Sequence, residues 1–274
     1  MIKNHKLLVD QNCPMCRQYS KLFTRTRWIE VSCPIAYQSE EAGTYTDIDQ
    51  DRARNEIAML DMDNGTVTYG VSTIIKIVTQ NHPTLRRILH LPIIFNLLSI
   101  LYKFISYNRK VITPAAQTDH RTCHPDNHIG YRCAYIFLVS IATAIIVHSF
   151  TSYLFQHFDW PHHFRTELII CIGQVMWQSA AVYFISHKNS LTYLGNMSTV
   201  SMIGAIILIP IIVLMSLASL SVYAKLLLFF LVIGVMFLEH IRRCQLLGIS
   251  KWMTVSWVLY RMTALSILIF LNTQ

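Results

Sequence analysis

The sequence predicts an α/β domain at the N-terminus followed by an all-α bundle of membrane helices. Three observations carry this. Only 14% of the 274 residues are charged and 53% are hydrophobic, where a soluble protein carries about 25% charged residues. The shortage is one-sided: residues 1–130 hold most of the Asp, Glu, Lys and Arg, and residues 131–274 read as long apolar runs with short polar breaks. Within the first part, short apolar runs alternate with helically spaced segments and turn signals. The expected organisation is a folded head over 1–112, a linker over 113–130 and a membrane domain over 131–274.

Each element of the head has its own signal. Lys6-Leu7-Leu8-Val9 predicts a short buried strand, ended by Asp10-Gln11-Asn12. From Cys13 to about Arg25, Met15, Tyr19, Leu22 and Phe23 recur at helical spacing. Trp28-Ile29-Glu30-Val31 alternates as a second strand, closed by Pro34, and the polar stretch from Glu40 to Arg54 mixes loop and helix. Ile57 to Met62, then Asp63-Asn64-Gly65, then Thr66 to Tyr69 reads as strand, Asn-Gly turn, strand. Helical spacing resumes from Val71 to Val78. Strand, helix, strand, hairpin, helix is a thioredoxin-like order.

Ile88 to Ser106 is apolar enough to resemble a span, but Pro92, Asn96 and Lys103 interrupt it. It is expected to be a helical arm lying on the membrane surface or the membrane domain, with a sixth span as the alternative. Five spans follow, at about Tyr131–Phe155, Arg165–Ser186, Thr199–Leu220, Val222–His240 and Trp252–Leu271. Arg109, Lys110, Arg121 and Arg132 precede the first, Lys188 follows the second, and Arg242, Arg243 and Lys251 lie between the fourth and fifth. The other side offers only Arg165 and Lys225. Because Lys and Arg gather in cytoplasmic loops, the head is expected in the cytoplasm and the C-terminus outside. The expected location is a cell membrane, in bacteria the inner membrane.

The net charge of +8 has the same explanation, and no basic stripe with interleaved aromatics points to nucleic acid. Only Leu7 to Val9 separate Lys6 from Asp10, too short an apolar core for a signal peptide, so the head is not expected to be exported by a signal of its own. Seven cysteines, an odd number and scattered apart from Cys13 and Cys16, argue against a structural disulfide framework.

Cys13-Pro14-Met15-Cys16 follows a strand and opens a helix. The unpaired N–H groups and positive end of a helix dipole stabilise a thiolate at the first cysteine. The second, one turn on, is placed to attack the mixed disulfide that forms. Cys13 is therefore the expected attacking thiol, more exposed and more reactive, and Cys16 the resolving thiol. Half a zinc site has the same spacing, but no second pair stands at zinc distance.

Val9-Asp10-Gln11-Asn12-Cys13-Pro14-Met15-Cys16-Arg17 resembles the Asp-x-x-Cys-x-x-Cys signature of the DCC thiol-disulfide oxidoreductase family, a thioredoxin-like group. Pro34 with Gln38-Ser39 looks like the family's second-strand exit, Asp61 to Gly65 with Tyr69-Gly70 like its hairpin and next helix, and Tyr102-Lys103-Phe104 with Tyr107-Asn108-Arg109 like its closing helix. The resemblance covers about residues 5–112. It departs at Gln11, where a glycine is common, and in lacking a proline just before the hairpin strand. It implies a redox-active dithiol, a protein thiol or disulfide as substrate, and a place for Asp10 in the site. Asp10 either accepts a proton from Cys16, raising the Cys13 pKa slightly as a like charge, or caps the helix that follows.

Other polar features have blander readings beside them. Asp119, His120, Cys123, His124, Asp126 and His128 have spacing for a metal but read as a solvated linker, so no metal and no cofactor is expected. Glu167, Cys171, Gln174 and Gln178 share one face of the second span; they are a small-molecule pocket or, more simply, hydrogen-bonding glue between helices. Arg261, midway along the fifth span, needs a partner there, expected from Glu167, Gln174 or Gln178. Two functions stand open at this point: a membrane-anchored thiol-disulfide oxidoreductase, with a reductase role fitting a reducing cytosol, or a non-catalytic accessory or assembly subunit of a larger membrane complex.

Overall fold

The computed structural model describes residues 1–115, 128–155, 163–185 and 190–272. The chain forms two compact units, Met1–Tyr131 and Arg132–Gln274.

The first unit is built on a four-stranded mixed sheet in the order β2-β1-β3-β4. Its first strand, β1 (His5–Val9), is followed by helix α1 (Pro14–Arg25) and by β2 (Pro34–Ala36), which pairs parallel to β1 with Leu7 opposite Pro34 and Val9 opposite Ala36. Two short helices, α2 (Glu40–Thr44) and α3 (Gln50–Asn55), lead to the antiparallel hairpin of β3 (Ala58–Asp61) and β4 (Val67–Tyr69). β3 runs antiparallel to β1, with Leu7 opposite Met59. This is the thioredoxin-like arrangement.

Alternation along the strands sorts the core into two layers, because successive strand side chains point to opposite faces. Leu7, Val9, Ile57 and Met59 join Cys13, Cys16, Phe23, Ile29 and Ile77 on one face. Leu8, Ala58 and Leu60 join Ile35, Ala42, Ile48 and Ala53 on the other. The unbroken apolar run of β1 thus reflects a strand covered on both sides.

The second strand is not where the alternation of Trp28 to Val31 places it. Ile29 makes only an isolated bridge with Ile2 and is buried instead beside Phe23, whose ring stacks on Trp28 at 5.9 Å. The strand begins at Pro34, which is tolerated there because β2 is an edge strand and Pro34 its first residue. The hairpin forms as expected, but its turn is wider than Asn-Gly alone. Asp61 N–H donates to Thr66 C=O at 2.9 Å, enclosing four residues, of which only Gly65 is left-handed (φ 63°).

Helix α4 (Gly70–Val78) follows, then α5 (Pro83–Leu89) and α6 (Pro92–Ile112). Pro92 does not interrupt a helix; it starts one, where its missing N–H costs nothing. The α5–α6 pair is bent by 77°. Tyr102, Ser106 and Arg109 of α6 bond to the head at Ile57, Asn55 and Arg54. The rest, Pro92 to Leu101, is about 15 Å long at helical rise, half of what a span needs.

The second unit is all-helical: α7 (Ile129–Leu154, beginning just before the unit boundary), α8 (Phe164–Ile185), α9 (Ser190–Leu217), α10 (Val222–Leu246) and α11 (Trp252–Asn272). All five are long and apolar enough to cross a membrane. α9 starts nine residues before the expected Thr199, because Asn196 and Ser198 are buried among neighbouring helices and not left in a loop. α10 packs on α9 and α11 on α8. Tyr193 of α9 donates to Gln178 Oε1 of α8 at 2.8 Å and lies 3.0 Å from His240 Nε2 of α10, whose Nδ1 is 3.1 Å from Thr254 Oγ1 of α11. Tyr135, near the start of α7, is 2.8 Å from Thr199. Those contacts join successive helix ends, so the five helices run alternately up and down, and α11 ends opposite the end where α7 begins.

Arg261 does not pair with the second span's polar face. The Gln174 amide makes no hydrogen bond, the Gln178 oxygen accepts from Tyr193, and Glu167 accepts from Thr151. The guanidinium lies instead over the Trp257 ring, 4.9 Å from its centroid, one turn back along its own helix, the direction in which helical side chains lean. α8 and α11 are tied by Tyr260 O–H to Ile170 C=O at 2.7 Å and Trp177 N–H to Ser256 Oγ at 3.0 Å.

Candidate active site

The chain leaves β1 through a turn closed by Cys13 N–H donating to Asp10 C=O at 3.2 Å. Asp10 Oδ1 accepts the Asn12 N–H at 3.0 Å, an Asx turn. Gln11, standing where a glycine is common in the family resembled, needs no left-handed backbone. Its N–H donates to Gln38 Oε1 at 3.2 Å, while Gln38 Nε2 donates to Asp10 Oδ1 at 2.7 Å. One side chain just after β2 therefore holds the first two residues of the turn. Cys13 is the N-cap residue of α1 and Pro14 its first residue. Asp10 does not cap the helix; it shapes the turn before it.

The structure brings Cys13, Cys16 and Asp10 together, but not with Cys13 exposed. Cys13 is 0% and Cys16 5% accessible, both inside the core cluster of α1 and β1. Exposure therefore does not rank the two thiols. Electrostatics does. The neighbouring Cys16 thiol, with the Cys16 backbone N–H and the Arg109 charge, outweighs burial and the Asp10 carboxylate and brings the Cys13 pKa down to about 6. The Cys13 sulfur beside it, with burial, pushes Cys16 far up. The Tyr19 hydroxyl on the same helix works against that rise, and burial pushes the Tyr19 pKa itself up. Cys33, in the same cluster, is pushed up to about 11 by burial.

Two cations come from α6. Lys110 Nζ is 3.4 Å from Asp10 Oδ2, which has no hydrogen bond of its own. Arg109 is 6% accessible; it donates to Arg54 C=O at 2.7 Å and to Ser106 Oγ at 3.1 Å. It lowers both thiol pKa values.

A family model matches residues 7–114, described as DCC1-like thiol-disulfide oxidoreductase. The chain carries a DCC1-like thiol-disulfide oxidoreductase domain at residues 7–114. No curated protein and no solved structure matches the chain. The family describes a redox domain whose span includes the end of β1, the turn, both thiols and the two cations of α6.

Sequence reasoning missed four members of the candidate site: Gln38, Tyr19, Arg109 and Lys110. Tyr19 carried a signal, since it stands three residues after Cys16 on the same helix face. The others join only through the fold. Among the described residues no cluster of three metal-ligating side chains occurs; of the linker group from Asp119 to His128, all but His128 lie outside the described residues.

Proposed function

We propose that the protein is a membrane-anchored thiol-disulfide oxidoreductase in which Cys13 and Cys16 form the dithiol/disulfide couple. The observation that carries this reading is Cys13 standing as the N-cap residue of α1 with Cys16 one turn on in the same buried cluster, a setting in which the Cys13 pKa falls to about 6. At neutral pH Cys13 is then mostly thiolate, the form that attacks.

The Cys13 thiolate attacks one sulfur of a substrate disulfide and expels the other as a thiolate, which takes a proton. A mixed disulfide with Cys13 remains. Cys16 loses its proton, attacks the Cys13 sulfur and releases the second substrate thiol. The substrate disulfide is reduced by two electrons and the Cys13–Cys16 pair is oxidised. The Asp10 carboxylate is the proton acceptor for Cys16, its charge steadied by Lys110.

α7 to α11 anchor the domain in the bilayer. The excess of Lys and Arg at the end where α7 begins supports a cytoplasmic domain and an outside C-terminus, with a protein thiol or disulfide as partner and reduction as the direction. A reporter fused after Gln274 should then report outside. A cytoplasmic report would mean an even number of spans.

The burial of both thiols favours a second reading, an accessory subunit that keeps the fold for binding. Trapping separates the two. With Cys16→Ser, the full-length protein should accumulate mixed disulfides through Cys13 in membranes, and with Cys13→Ser it should not. No adduct from either variant would leave the accessory reading.

A further inference from the structure

A cavity of about 220 Å³ lies beside Cys16 within the first unit. Its buried walls are Leu8, Asp10, Cys16, Phe23, Ile57 and Arg109; Met15, Ile74, Tyr102 and Ile105 line it and remain partly accessible. The lining is dominated by apolar side chains, with Asp10, Glu56 and Arg109 as its charged members. An apolar cavity of about 150 Å³ holds a benzene ring, so this one has room for one ring or one branched aliphatic group.

Two further observations bear on what enters. Ile57, just before β3, has both backbone groups engaged: its N–H donates to the Tyr102 hydroxyl at 2.7 Å and its C=O accepts from Gly70 at 2.8 Å. A substrate strand finds no free backbone partner there. Ile105, 38% accessible, ends a stripe of exposed apolar residues at four-residue spacing on α6: Ile93, Leu97, Leu101 and Ile105. The cavity thus opens onto apolar surface.

Resting on the oxidoreductase reading above, we infer that this cavity is a substrate subsite that selects disulfides carrying a large apolar group next to the sulfur. The group fills the space between Phe23, Ile57, Ile74 and Tyr102, and the disulfide comes to rest beside the Cys13–Cys16 pair. The redox step is the exchange already written; the cavity adds only the choice of substrate. The apolar group is either a side chain adjacent to a cysteine in a polypeptide or part of a small disulfide.

The test uses the reduced full-length protein in detergent micelles and follows loss of the Cys13 thiol in single turnover. One arm offers glutathione mixed disulfides of short peptides with Phe, Leu, Gly, Asp or Lys beside the cysteine. The other compares dibenzyl disulfide with bis(2-hydroxyethyl) disulfide. Phe and Leu peptides, or dibenzyl disulfide, should react about tenfold or more faster than their polar counterparts, the discrimination an apolar pocket gives. The arm that shows the preference identifies the source. Ile74→Trp, which fills the cavity, should bring the ratio close to one. Ile105→Asp, at a tolerant exposed position, should do so without touching the core and should favour a Lys-flanked peptide. Equal rates for all disulfides, or a ratio unchanged in both variants, would overturn the subsite while leaving the thiol couple intact. No oxidation by any disulfide would overturn the couple itself, and the subsite with it.

Discussion

Lys110, near the end of α6, stands 3.4 Å from the Asp10 carboxylate at the end of β1. The last helix of the domain therefore supplies the counter-charge for the residue that opens the turn before the thiols. Asp10 is 4% accessible, and a buried carboxylate without a partner is costly.

Lys110→Met should lower the melting point of the reduced protein in detergent, by the equivalent of about 2 kcal/mol. That is less than the ~3–5 kcal/mol of a fully buried pair, because the Lys110 side chain keeps 17% of its surface accessible. Lys110→Arg should recover most of it. An unchanged melting point in Lys110→Met would mean that water already screens the pair.

Asp10→Asn should move two quantities in opposite directions. Loss of the carboxylate removes a repulsion that raises the Cys13 pKa, so thiolate absorbance should appear at lower pH. Resolution of the mixed disulfide should slow by about tenfold or more, the low end of what a positioned base contributes. A lowered Cys13 pKa with unchanged resolution would leave Asp10 without a role in proton transfer.

Cys16→Ala should raise the Cys13 pKa from about 6 towards the ordinary thiol value, since the Cys16 thiol is the largest cause of the lowering. Cys16→Ser, which keeps a donor, should raise it less. Arg109→Met should raise it as well, because its positive charge lowers both thiols. It should also destabilise the domain, by about 1–3 kcal/mol for the buried carbonyls it leaves unpaired.

The reduced domain should show a characteristic pH dependence. The folded Cys13 pKa, about 6, lies below the unfolded value of about 8.5. Its contribution is complete above the unfolded pKa and is lost as pH falls through about 6. Cys16 is raised, so its contribution is present below the unfolded pKa and lost as pH rises above it. Melting points should climb from about pH 6 to about 8.5 and decline beyond. The oxidised protein should lack this profile.

How much of this was legible in the sequence follows from the range of each interaction. β1, α1, the hairpin and the five apolar helices are local patterns, and each formed where expected apart from the ends of the helices, of which α9 starts nine residues early. β2 was misplaced because Trp28 to Val31 alternates like a strand, although Ile29 is buried by packing beside Phe23 and not by strand pairing. Cys13, Cys16 and Asp10 are a contiguous motif and could be read. Gln38, Arg109 and Lys110 meet it across 28, 96 and 100 residues of chain, which no spacing rule reaches. The burial of Cys13 has the same origin: the helix start predicts a thiolate, but only the packed sheet decides whether water reaches it.

The central claim is that Cys13 and Cys16 exchange two electrons as a pair. Full-length protein equilibrated in glutathione buffers of graded potential, then quenched and alkylated, tests it most directly. The account predicts one two-electron transition in which both thiols disappear together, absent from Cys13→Ser and from Cys16→Ser. Thiols that stay reduced in every buffer, or that become glutathionylated independently of one another, would contradict it.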